Sequence, residues 1–164
     1  MPASLQQLIA QPITAEAFKP FGQVIFPTVD GAVYDPDNAQ LHMEKGIPRF
    51  YIMRLQRLGC RFSRITRHQC CTQCLGSLGG QSWLMAVAPP RESAYPALEE
   101  IVAFQIPGNC FIKLEVGTWH AGPHFETDCM DFYNLELADT NQVDHDACDL
   151  LTLYNMEFQI KTLI

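Results

Sequence analysis

Short runs of β-branched and aromatic residues, each stopped by glycine, proline or a polar turn, recur along this chain, and that rhythm restricts its fold more than any other property. Val24-Ile25-Phe26, Arg49 to Leu58, Cys60 to Arg67, Trp83 to Ala88, Ile101 to Ile106, Phe111 to Glu115, Met130 to Leu137 and Leu150 to Ile160 all read as strands. Asp35-Pro36-Asp37-Asn38, Gly79-Gly80, Ala88-Pro89-Pro90 and Pro107-Gly108 supply the turn chemistry between runs or stop a hydrogen-bonded ladder. Many short strands with regular turns imply an all-β sandwich or barrel. Near the start, Thr14 is placed to cap a short helix through Ala15-Glu16-Ala17-Phe18, closed by Pro20 and Gly22.

With 164 residues, 48% of them hydrophobic, the chain can bury a core without disulfides, and a single domain over 1–164 is expected. The net charge of −7, with scattered Lys and Arg, offers no patch to neutralise nucleic acid or an anionic membrane. No run of about 18 apolar residues and no basic-then-apolar leader occurs, so a cytoplasmic protein is expected. The seven cysteines are odd in number and lie mostly in apolar stretches, which reads as reduced, buried thiols. Cys71 and Cys74 form a C-x-x-C, but without a second pair or a following helix it lacks the context of a zinc or redox motif.

The chemistry gathers in two segments. Val116-Gly117-Thr118-Trp119-His120-Ala121-Gly122-Pro123-His124 sets two imidazoles and a large aromatic among glycines, which suits the mouth of a barrel. Arg67-His68-Gln69-Cys70-Cys71-Thr72-Gln73, followed by Leu78-Gly79-Gly80, is the other. Residues 28–46 are polar and long enough to form a loop over the core, and a lid is expected there. Ala138 to Asp149 lacks the spacing of a calcium loop and reads as a solvated acidic loop, with His42 and His145 solvated in their polar segments.

These two segments resemble the paired motifs of a cupin, a double-stranded β-barrel or jelly roll, here with a short N-terminal helix; Gly117 and His120 match the G-x-x-H of the second motif. The chain further resembles the ureidoglycolate lyase family over nearly its whole length. The elements that carry this are Pro12 to Phe18 with Pro20 to Ile25, Arg67-His68 with Thr72-Gln73, Leu78-Gly79-Gly80 leading to Ala88-Pro89-Pro90, Gly117-Thr118-Trp119-His120, and Asp131-Phe132. It departs from the family at Ala121, where a second His is usual, and at Glu115, where another His is usual.

The resemblance implies elimination of urea from ureidoglycolate to leave glyoxylate. His120 and His68 are the expected proton carriers, with Glu115 as a further acid or base. Arg67, Thr72, Gln73, Lys113, Trp119 and His124 are the expected substrate contacts, although Arg67 should point away from His68 and Lys113 shares a face with Glu115. A divalent metal of the nickel or zinc class, held by His68, Gln73 and His120, is the alternative electrophile, with no organic cofactor. Two other readings are another metal-dependent cupin enzyme acting on a small hydroxy or keto acid, and a cupin that only binds a small metabolite. A homodimer that hides a sheet edge is expected in each case.

Overall fold

A computed structural model describes residues 2–163. In chain order the elements are β1 (Ser4–Pro12), α1 (Ala15–Phe18), β2 (Gly22–Ile25), β3 (Pro48–Gln56), β4 (Arg61–Phe62), β5 (Arg64–Arg67), β6 (Gln73–Ser77) and β7 (Trp83–Ala88). They continue with β8 (Val102–Ile106), β9 (Phe111–Leu114), β10 (Trp119–His124), β11 (Cys129–Leu137), α2 (Thr140–Val143), β12 (Asp146–Asp149), α3 (Leu150–Tyr154) and β13 (Met156–Thr162). Eight strands form a curled sheet in the order β12-β5-β10-β7-β8-β1-β13-β4, and five form a second in the order β2-β9-β6-β11-β3. The result is a cupin-type β fold.

Period-two alternation divides the side chains between two cores. Trp83, Met85 and Val87 on β7 join Phe104 and Ile106 in packing against Val24, Leu75, Ile112, Leu114 and Phe132 of the smaller sheet. Leu84, Ala86 and Ala88 point the other way, into a second cluster with Ile65, Trp119, Phe158 and Ile160. Strand β7 is therefore buried on both faces, which is why its sequence is an unbroken apolar run. The predicted cap is present: the Thr14 hydroxyl accepts the Ala17 N–H at 3.1 Å.

Several expectations are corrected. Cys60 to Arg67 divides at Ser63, so β4 pairs with β13 while β5 pairs with β10 and β12. Leu150 to Ile160 begins as helix α3, capped by the Asp149 carboxylate on the Thr152 N–H at 3.0 Å, and becomes β13 only after Asn155 turns the chain at φ 52°. Local capping thus overrides the β-type composition of that stretch. Residues 138–149 are not a free acidic loop, because Thr140–Val143 form α2 and β12 pairs with β5.

The 28–46 loop is no lid over the cavity described below. Gln23, on the outer face of β2, accepts the Gln40 N–H at 2.9 Å and donates to the carbonyls of Pro36 and Asn38. His42 and Thr72 exchange two further bonds, at 3.0 and 3.1 Å. The loop is tied to the outside of the smaller sheet.

Candidate functional site

The inner faces of the smaller sheet change character toward one end. Along β11 the inward positions run Met130, Phe132, Asn134, Glu136, and along β6 Leu75 is followed toward the same end by Gln73. This polar end lines a cavity of about 180 Å³ together with Tyr51 from β3, Thr66, His68, His120 and His145.

On one wall the imidazoles meet. The ring centroids of His68 and His120 are 5.1 Å apart, and those of His68 and His145 are 5.9 Å apart. His68 Nδ1 lies 2.6 Å from the Asp144 carbonyl. A carbonyl only accepts, so Nδ1 carries a proton, and in the neutral ring the lone pair is on Nε2. The Asp144 carboxylate in turn accepts the Gln69 and Cys70 N–H groups, both at 2.8 Å, which clamps the 144 peptide against the turn that follows β5. The glycine turn of the second motif closes on the first, since the Gly117 N–H donates to the His68 carbonyl at 2.7 Å with Gly117 at φ 83°.

His120 is held differently. Burial, and then the neighbouring His68, push its pKa down to about 3, so it is a neutral ring. Its Nδ1 is 3.3 Å from the Thr118 carbonyl and its Nε2 is 3.5 Å from the Thr66 hydroxyl.

The facing wall is a closed ring of hydrogen bonds. Gln73 Nε2 donates to Asn134 Oδ1 and to Glu136 Oε2, both at 3.1 Å. Asn134 Nδ2 donates to the Tyr51 hydroxyl at 3.1 Å, and that hydroxyl donates to Glu136 Oε1 at 3.2 Å. Burial raises the Tyr51 pKa, which keeps the phenol protonated for this bond.

Of the residues expected from sequence, the cavity brings together His68, Gln73 and His120. The others lie elsewhere. Lys113 and Glu115 pair with each other at 2.6 Å on the outer side of the sheet, since Leu114 between them points into the core. Arg67 donates to Asp146 at 2.7 Å and to the carbonyls of Arg91 and Ser93, and its guanidinium lies over the Trp119 ring at 4.4 Å. Trp119 is a core residue of the second cluster, and Thr72 anchors the 28–46 loop.

His124 leaves the His120 face because of a bulge. His120 pairs with Val87 and Ala121 with Ala86, but His124 pairs with Leu84, so one extra residue sits between the last two pairs. His124 consequently borders a neighbouring cleft of about 390 Å³ with Phe62, Arg64 and Ala121, and donates from Nδ1 to the Gly59 carbonyl at 2.8 Å. That cleft is larger but has fewer convergent polar groups than the smaller cavity. Neither Glu115 nor Ala121, the two departures from the family pattern, lines the 180 Å³ cavity.

Tyr51, Asn134 and Glu136 line the cavity without having been expected there, and His145, expected to be solvated, is exposed at its rim. Asn134 and Glu136 carried a signal, since they occupy inward positions of a strand that starts apolar. His145 carried none, because only the docking of β12 on β5 brings it to the rim. The expected divalent metal finds no ready cage: among the described residues no three His, Cys, Asp or Glu side chains are grouped to hold an ion. Gln73 Nε2 is taken up by Asn134 and Glu136, while its Oε1, the atom through which an amide ligates a metal, has no hydrogen-bond partner.

Fold and site together define a cupin-type protein with a histidine wall facing an amide and carboxylate wall. Comparison with known families matches residues 32–159 to ureidoglycolate lyase, and the chain belongs to that family. The N-terminal elements from Pro12 to Ile25 lie outside the matched span. No curated protein matches the chain.

Proposed function

We propose that this protein is a carbon–nitrogen lyase that releases urea from ureidoglycolate, with His68 as the proton carrier. The observation that carries the reading is the fixed tautomer of His68 in a polar cavity beside a neutral His120, in a chain of this family. In ureidoglycolate the hydroxyl and the ureido nitrogen sit on one carbon. His68 Nε2 takes the hydroxyl proton, the oxygen's electron pair forms the carbonyl of glyoxylate, and the carbon–nitrogen bond breaks. The same proton then passes from Nε2 to the leaving nitrogen. One imidazole within reach of both atoms completes the proton balance. His120 has too low a pKa to carry that proton and serves as a neutral hydrogen-bonding partner.

The substrate carboxylate sits at the mouth beside His145, whose ring belongs to the exposed rim. A cytoplasmic setting agrees with seven free thiols, and among the described residues no helix is long and apolar enough to cross a membrane. A homodimer would cover the exposed edge strand β3.

The test is to incubate purified protein with ureidoglycolate, before and after chelation and with divalent metals restored, assaying urea, ammonia and glyoxylate together. Urea with glyoxylate, lost in His68→Ala and unaffected by chelation, supports the mechanism as written. Activity that chelation removes favours the alternative metal-dependent cupin chemistry. Decay of ureidoglycolate only at its uncatalysed rate overturns the lyase reading.

A further inference from the structure

The ring formed by Gln73, Asn134, Tyr51 and Glu136 has an imbalance. Both N–H groups of Gln73 are spent on acceptors, and the Tyr51 proton is spent on Glu136. Turning the Gln73 amide over would set its oxygen against two other acceptors, so its orientation is fixed. Its Oε1 is left buried with no partner, on a side chain only 6% exposed. Glu136 is 2% exposed and, among the described residues, forms no ion pair within 4.0 Å; its cross-strand partner Arg49 lies instead over the Tyr51 ring at 3.7 Å, outside the cavity lining. Among the residues lining the cavity there is no lysine or arginine either.

A buried carboxylate and an orphaned amide oxygen are both costly unless something donates to them. One spare Asn134 N–H is the ring's sole remaining donor. The wall therefore offers acceptors and a negative charge to whatever enters.

We propose that this wall is the recognition pole for a planar headgroup rich in N–H, either a ureido group or a cationic amidine or guanidine. A substrate then enters nitrogen end first and leaves its carboxylate at the mouth, away from Glu136. This assignment rests on the lyase reading for the identity of the substrate, but it is a statement about binding and is tested without turnover.

Three ligands of one shape serve as probes for calorimetry on the wild-type protein. Ureidoacetate carries the ureido group, guanidinoacetate carries its cationic counterpart, and 4-oxopentanoate replaces both nitrogens of ureidoacetate with carbon. The expected order is guanidinoacetate, then ureidoacetate, then 4-oxopentanoate, with at least about tenfold between the first and the last. In Glu136→Gln the advantage of guanidinoacetate over ureidoacetate disappears. Gln73→Met, which removes the orphaned oxygen, narrows the gap between ureidoacetate and 4-oxopentanoate.

Equal binding of the three to the wild type, tighter binding of 4-oxopentanoate, or no binding of either nitrogen ligand at millimolar concentration overturns the proposal. The wild-type series decides even if a variant fails to fold. A protein that shows the expected order but does not release urea retains the recognition pole and loses the lyase reading, and the converse outcome does the reverse.

Discussion

His124 shows what a single buried ring costs. Burial lowers its pKa below the ordinary value of 6.5, despite the Gly59 carbonyl that accepts from Nδ1. The unfolded chain takes up a proton near 6.5 while the folded chain does not, so the unfolded state binds more protons below that pH. Stability is then complete above about pH 6.5 and falls as the pH drops, by up to about 1.4 kcal/mol per pH unit for each such histidine. His120 adds to the same slope down to about pH 3. The expected outcome is that His124→Asn, which keeps an N–H for the Gly59 carbonyl, flattens the dependence below about pH 6.5. Urea denaturation at a series of pH values between about 5 and 7 checks this, and an unchanged slope would show that His124 is not a buried neutral ring. The Asp144 clamp also belongs to this scale. Asp144→Ala leaves the Gln69 and Cys70 N–H groups without their acceptor and should cost about 2 kcal/mol, together with a loss of turnover that exceeds any change in KM.

Between elements, two contacts decide whether the strands keep their register. Gly22 pairs with Leu114, and a Cβ at this glycine would run into the Lys113 carbonyl, so Gly22→Ala must part β2 from β9. A loss of about 3 kcal/mol or more is expected in thermal or urea unfolding. Arg67 ties β5 to β12 through Asp146 and covers Trp119. Arg67→Lys keeps the charge but loses the fork and the stacked plane, so about 2 kcal/mol of stability should go while ureidoacetate affinity stays unchanged. Weakened affinity would instead return Arg67 to the substrate.

At the scale of the whole molecule, one long strand has a free edge, β3, which pairs with β11 on its other side. Strand β3 ends the smaller sheet, and Phe50 and Ile52 on its outer face are 71% and 63% exposed. Phe50 packs edge-on against Tyr133, which does the same against Phe111, so the apolar surface continues across the sheet. A second copy related by a two-fold axis would cover it. Light scattering should report a dimer for the wild type and a monomer for Ile52→Lys, and a wild-type monomer would remove this expectation.

Sequence by itself determined the all-β class, most strand positions, the Thr14 cap and three of the cavity residues. Strand propensity, turn chemistry and capping act over a few residues, and His68, Gln73 and His120 stand in motifs short enough to read. Tertiary structure alone decided which polar residues face inward together. The bulge in β10 turned His124 away from His120, and Leu114 set Lys113 and Glu115 on the outer face. Strand β11 brought Asn134 and Glu136 opposite Gln73 and Tyr51, and the docking of β12 on β5 delivered His145. Register and long-range pairing fix these choices, and a shift of one residue reverses a side chain's face.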